Sequence, residues 1–303
     1  ITATPPRPVD TLATDDEIRQ ATLGVGYETI LGSVFRLRGG LQRTQYEKDV
    51  RPPGEAVRSS TAHPYLYDIA ASWFPNASLT LFATAVRGLE ESGTAPNNAA
   101  NRNQVLPAVM ATQYELGIRY VLPRNLTFIS SLFEVSKPTP GLDASNFYGL
   151  IGEARHRGVE LSLTGQPVAG INIVGGLALL QASRLGELVD RGVILGRAPG
   201  VPAMTGLLNV TWDLPFLRGA SIDSQLNYTS KRLLNTRGVF TPQYATLDVG
   251  ARYSFKLGTR PAVFRVRTGN VFDESAWIAG RSGTMNRLGR RAYRATLAVS
   301  FDH

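Results

Sequence analysis

Hydrophobic and polar residues alternate with a period of two along most of the chain, the spacing of strands with one apolar and one polar face. Near the C-terminus, Tyr293, Ala295, Leu297, Val299 and Phe301 fall on one face, and Arg294, Thr296, Ala298 and Ser300 on the other. The pattern also sets Leu247, Val249, Ala251, Tyr253 and Phe255 against Thr246, Asp248, Arg252 and Ser254. It sets Leu116, Ile118 and Tyr120 against Glu115, Gly117 and Arg119. No segment of ten residues or more reads as a helix, and no run of 18 apolar residues exists, so a transmembrane helix is excluded. The pattern predicts about thirteen strands of roughly ten residues, over 17–29, 33–46, 65–73, 77–89, 109–121, 126–136, 155–165, 170–183, 203–213, 220–230, 243–255, 262–271 and 291–301. Strand content near half of the chain is about twice that of an ordinary domain. Only an all-β fold accommodates it.

The connections refine the class. Short turns near Leu31, Pro75, Pro123, Pro167, Pro215 and Gly258 alternate with long polar links at about 47–64, 90–108, 137–154, 184–202, 231–242 and 272–290. In an antiparallel meander, alternate connections lie at opposite ends of the sheet, so one end carries every long loop. That is the layout of an outer-membrane barrel. Ten residues at about 3.3 Å each, tilted by about 45°, rise roughly 23 Å, close to the apolar band of such barrels. Tyr27, Trp73, Trp212, Tyr228, Tyr253, Phe255 and Phe301 stand at strand ends on the apolar face, as an interfacial girdle does. Lipid cannot hydrogen-bond an open strand edge, so the sheet is expected to close, with its apolar face on lipid and its polar face on a lumen. A passive porin-like barrel and a soluble β-sandwich or adhesin are the alternatives. A sandwich alternates in the same way but seldom segregates its loop lengths so cleanly. Thirteen strands is an odd number, whereas single-chain bacterial barrels carry even ones. Residues 1–303 are therefore expected to be one portion of a larger barrel, with 1–14 a loop-like lead-in and 15–301 a meander of strands. Residues 1–14 show no basic-then-apolar leader pattern.

Composition narrows the chemistry. The chain has no cysteine and three histidines, which removes disulfides, thiolate zinc sites and iron–sulfur clusters and argues against a His-rich metal site. The net charge is +8, but the arginines are scattered, so no nucleic-acid partner is expected. Neither a Gly-x-Ser-x-Gly elbow, a phosphate loop nor a dinucleotide fingerprint is present. The chain is accordingly read as no enzyme, with no catalytic residue and no metal ligand. Asp15-Asp16 and Glu90-Glu91 read as solvated loop charge, and His63 and His156 as loop or strand-end residues. Arg36, Arg38, Arg119, Arg265 and Arg267, with Glu115, Glu160 and Asp248, fall on the lumen face.

The final 34 residues resemble the C-terminal end of a TonB-dependent siderophore receptor. The family's Asn-Leu-Phe-Asp motif stands here as Asn270-Val271-Phe272-Asp273, with Trp277 in the following aromatic place and Gly289-Arg290 before the last strand. The closing aromatic is Phe301, but Asp302 and His303 follow it, a departure from the family's terminal Phe. Two more stretches are similar: Glu115-Leu116-Gly117, and Arg157-Gly158-Val159-Glu160; Ala198-Pro199 to Pro202 fits the loop into the next strand. The resemblance implies a C-terminal fragment, about 13 strands of a barrel of 22, without its plug domain and TonB box. The fragment by itself is then expected neither to transport nor to close. It implies uptake of a ferric siderophore across the cell outer membrane of a Gram-negative bacterium, energised by the TonB complex through an N-terminal part. The other partner is outer-membrane lipid. No cofactor is implied, because the siderophore carries the iron. The lumen-face charges would pair across strands or face the plug. Phe147, Tyr148 and Trp277 are the candidates to stack on the ligand's organic frame.

Overall fold

The computed structural model describes residues 14–91, 93–235, 238–279 and 285–301. The elements run β1 (Asp15–Leu31), β2 (Phe35–Arg51), β3 (Arg58–Ala62), β4 (Tyr65–Asn76), β5 (Leu79–Glu90), β6 (Val109–Leu122), β7 (Leu126–Leu142), β8 (Tyr148–Val168) and β9 (Ile171–Gly186). The four-residue α1 (Glu187–Asp190) follows, then β10 (Met204–Asp213), β11 (Ala220–Thr229), β12 (Arg232–Leu233), β13 (Phe240–Thr241), β14 (Tyr244–Leu257), β15 (Arg260–Gly269), β16 (Trp277–Ala279), β17 (Met285–Arg287) and β18 (Ala292–Val299). Thirteen of these form one meander in the order β1-β2-β4-β5-β6-β7-β8-β9-β10-β11-β14-β15-β18, with β3 added on β2. Every neighbouring pair is antiparallel. Among the described residues the sheet is open, with β1 and β18 as its edges. Of the lead-in, only Thr14 lies within the described residues.

Several strands are longer than the expected ten residues, with 17 in β1, β2 and β7 and 21 in β8, while β10, β11 and β15 have ten. The expected long link at 137–154 is mostly strand, because β7 and β8 stay paired to Leu142↔Tyr148 with a bulge at Thr139/Pro140. Pro138 and Pro140 hide this hairpin in the sequence, since proline normally argues against a strand interior.

Register defines the two faces. Phe35, Trp73, Leu81 and Ile118 lie in one cross-strand row and share the apolar face. Glu28, Arg38, Ala70, Thr84, Glu115, Phe133 and Gly158 lie in a row on the polar face. At the short-turn end of the apolar face, Phe35 stacks on Trp73 at 6.1 Å and Tyr253 on Phe255 at 5.7 Å, and the Arg260 guanidinium sits 4.3 Å over Phe301. Toward the long-loop end stand Tyr65, under Arg43 at 4.4 Å, and Tyr293. Tyr65 and Trp73 on β4 are about 26 Å apart along the strand at about 3.3 Å per residue, or roughly 20 Å along the axis at a tilt of about 40°. An apolar band edged by aromatics is the surface that a bilayer requires.

Above that band the long connections carry a core of their own. Tyr46, Val50, Leu66, Ala95, Ala99, Val105, Leu106 and Val109 are buried there. Lys48 is 2% exposed and pairs with Asp16 at 3.1 Å and with Glu91. Burial alone would lower the Lys48 ammonium, but the Glu91 and Asp16 carboxylates outweigh it and hold its pKa above the usual lysine value. Glu90 pairs with Lys137 at 2.5 Å and Asp15 with Arg51 at 3.7 Å. The two acidic doublets are thus strand-end charges held in ion pairs, Asp15, Asp16 and Glu90 to neighbouring strands and Glu91 from the loop after β5 to β2, and not the unpaired loop charge that the sequence suggested.

Candidate functional site

The polar face and the loop end above it carry the chemistry of this fold. At its middle, the Glu-x-Gly of β6 and the Gly-x-Glu of β8 flank β7. Glu115 shares a row with Phe133 and Gly158, and Gly117 shares the next with Ser131 and Glu160. The two carboxylates therefore sit diagonally across β7 on one face. Neither makes a hydrogen bond or an ion pair among the described residues. The two glycines have a steric reason: a Cβ on Gly158 would lie 2.6 Å from Cζ of Phe133, and one on Gly117 would meet the Phe82 ring closer still. Arg157, one residue from Gly158, points to the opposite face and pairs there with Glu134.

Other lumen-face charges are paired. Arg38 meets Asp68 at 3.0 Å and Arg36 meets Glu28 at 3.5 Å. Arg267 donates to Asp248 at 2.9 Å and to Gln225 at 2.8 Å. Arg119 and Arg265 stand on the same face without an ion pair among the described residues.

The C-terminal motif closes the base of the last loop. Asn270, 6% exposed and at φ +50°, donates through Nδ2 to the carbonyls of Glu274 (2.9 Å) and Gly289 (3.0 Å) and accepts from the Glu274 N–H (2.8 Å). Its own N–H donates to Asp248 at 2.8 Å. Asp273 accepts both arms of Arg290, with Nε at 2.8 Å, and the Arg291 N–H at 2.9 Å. The Arg290 fork, then the Arg291 N–H, hold the Asp273 carboxyl well below the usual carboxylate range, and Asp273 raises Arg290 in turn. Phe272 is exposed beside this clasp. These residues shape the base of a loop.

Of the three aromatic candidates, Trp277 lies on the loop that the clasp closes, and Phe147 and Tyr148 lie at the loop end of β7 and β8. Phe147 is at the β7–β8 tip, where Asp143 accepts from the Ser145 hydroxyl (2.7 Å) and from the N–H groups of Ser145 (2.8 Å) and Phe147 (2.9 Å). Those bonds, the Ser145 hydroxyl first, lower the Asp143 pKa. Tyr148 opens β8 and is locked to the loop after β5, exchanging backbone bonds with the Asn101 side chain at 2.8 and 2.9 Å. Trp277 is half exposed on the small β16–β17 hairpin. His156 differs from its reading as a strand-end residue: it lies inside β8, on the polar face beside Ala182.

Residues 3–272 match the family model described as TonB dependent receptor-like, beta-barrel. The ferrichrome receptor FcuA of Yersinia enterocolitica is 25% identical over 236 residues, which cover 75% of this chain and 31% of that protein. The metal-pseudopaline receptor CntO of Pseudomonas aeruginosa is 28% identical over 183 residues, 55% of this chain and 25% of that one. In structure, BauA, the ferric preacinetobactin receptor of Acinetobacter baumannii, superimposes with a TM-score of 0.84 at 23% identity, over 95% of this chain and 44% of its own. The chain thus spans less than half the length of the relatives that it matches. All three relatives are receptors.

Proposed function

The chain belongs to the TonB-dependent receptor β-barrel family and to the outer membrane of Gram-negative bacteria, and from that premise we propose that it forms wall and outer loops of a transporter for a ferric siderophore, energised by the TonB complex. The observation that supports this most is the segregation of the fold. Every long connection lies at one end of a polar-lined meander, in the arrangement shared with a ferric preacinetobactin receptor. The relatives named for ferrichrome and for metal-pseudopaline point to a metal–chelator complex as cargo. The iron is then ligated by the siderophore, and this chain supplies surface: aromatics at the loop end to stack on the organic frame, and charged groups on the polar face. Glu115 and Glu160, without partners among the described residues, are suited to pair with cations of a plug inside the barrel. We read the protein as a transporter and not as a catalyst.

The test is uptake of radiolabelled iron by cells lacking the gene, with and without complementation. The siderophore panel includes ferrichrome and ferric preacinetobactin. Accumulation that needs both this gene and a functional TonB supports the proposal. Passage of the same complexes without TonB would place the protein among passive barrels instead.

A further inference from the structure

A cavity of about 390 Å³ lies at the loop end of the wall between β7, β8 and β9, roofed by α1 and the segment after it. Its apolar lining includes Ile151, Leu188, Val189, Ile194, Ala198 and Val201, and three polar side chains reach it: Thr139, His156 and Arg184. Register brings these together. Thr139 pairs with Gly152, Ala154 with Arg184, and His156 with Ala182, so His156 and Arg184 are diagonal neighbours on the polar face. The sequence alone does not join the two, because 28 residues and a turn separate them and neither lies in a motif.

The charge around the cavity decides what it takes. Arg184 makes no ion pair or side-chain hydrogen bond among the described residues. Of the acids on the adjoining elements, Glu187 is held by Arg191 at 2.9 Å, Glu153 by Arg155 at 2.8 Å and Glu134 by Arg157, while Asp190 at the end of α1 and Glu160 lower on β8 make no ion pair among the described residues and do not line the cavity. A guanidinium without a counter-ion, beside an imidazole and a hydroxyl and under an apolar roof, is complementary to an anion carried on a flat apolar body.

We propose that this cavity is a subsite for an aryl oxyanion, a carboxylate or acidic phenol on an aromatic ring. The anion meets Arg184, with His156 and Thr139 beside it, and the ring lies against Leu188, Val189 and Ile194. This rests on the transport reading only in taking that group to be an arm of the siderophore; the preference for the anion stands without it.

The probe is salicylate, with benzyl alcohol as its uncharged counterpart. Binding is followed by saturation-transfer NMR on the protein expressed from its own gene and held in detergent. Arg184→Gln is expected to weaken salicylate at least tenfold, about 1.4 kcal/mol, and to change benzyl alcohol by less than twofold. Ala154→Leu, which places a larger side chain on the cavity wall, is expected to weaken both. Salicylate binding that is absent in the wild type, or within twofold of it in Arg184→Gln, overturns the subsite. Iron uptake from an aryl-armed siderophore is measured on the same variants. Uptake that falls with Arg184→Gln identifies the anion as a siderophore arm; unchanged uptake with lost salicylate binding identifies a site for free aryl acids. If the wild type takes up no siderophore at all, the transport reading fails and the salicylate result is untouched.

Discussion

The Phe133 ring on β7 occupies the space above Gly158 on β8, its direct cross-strand partner, so that a Cβ on the glycine would fall 2.6 Å from the ring and 2.6 Å from the Leu179 carbonyl oxygen of β9. Phe82 covers Gly117 in the same manner two strands away. Glycine weakens a strand because it packs nothing, and an aromatic laid over it restores the lost contact.

Alanine at 158 therefore overpacks the joint. Gly158→Ala is expected to destabilise the folded protein by about 1–3 kcal/mol, read as a lower urea midpoint in detergent. The pair Gly158→Ala with Phe133→Ala is expected to cost less than the sum of the single changes, the signature of direct contact. Additive costs would mean that the ring does not rest on the glycine.

The clasp between Asp273 and Arg290 sets a pH dependence. The folded carboxyl titrates below its unfolded value of about 3.9. Its contribution is thus present above that pH and is lost as pH falls toward the folded value. Asp273→Asn is expected to speed hydrogen exchange at the Arg291 N–H several-fold at pH 5 to 7. The difference from wild type should shrink in strong acid, where the native carboxyl is also protonated. A variant that exchanges like the wild type at pH 6 would show that the loop base is held by other bonds.

Asn270 is the buried member of the same loop base. Asn270→Ala leaves the carbonyls of Glu274 and Gly289 without their donor and places alanine at φ +50°. We expect a loss of about 2 kcal/mol from the orphaned groups, with part of it local, seen as faster proteolysis between Asp273 and Arg290. A variant as resistant as the wild type would mean that water replaces both bonds at no cost.

The alternation and the order of turns were legible because a half-buried strand repeats every two residues and its short turns carry proline or glycine. The strand ends were not. Beyond Gln42, β2 carries Arg43, Gln45, Glu47, Asp49 and Arg51 on the face that is apolar lower down, while Thr44, Tyr46, Lys48 and Val50 turn into the loop core. Above the lipid band both faces meet polar surroundings or loops, and the period fades. Lys48 finds Glu91 and Asp16 only through tertiary folding, so no local pattern announces the pair. The faces of the motif residues were half legible. Parity places Gly158 and Glu160 together and Arg157 opposite, but only register shows that Arg157 meets Glu134 on the lipid side while Glu115 and Glu160 share the lumen.

That sharing gives the sharpest test of the part in transport proposed for the wall. Glu115 and Glu160 hold nothing within the described sheet, so Glu115→Gln with Glu160→Gln removes no internal bond and is expected to shift stability by no more than about 0.5 kcal/mol. Both carboxylates nevertheless face the lumen in adjacent rows on either side of β7, open to a cation brought by another element. If that element is a plug, the double variant loosens it. Iron uptake then falls several-fold and the barrel admits antibiotics too large for passive entry, while the urea midpoint stays where it was. A midpoint that drops together with uptake would make the carboxylates part of the wall's own stability. Unchanged uptake, with unchanged entry of antibiotics, would leave them facing water alone.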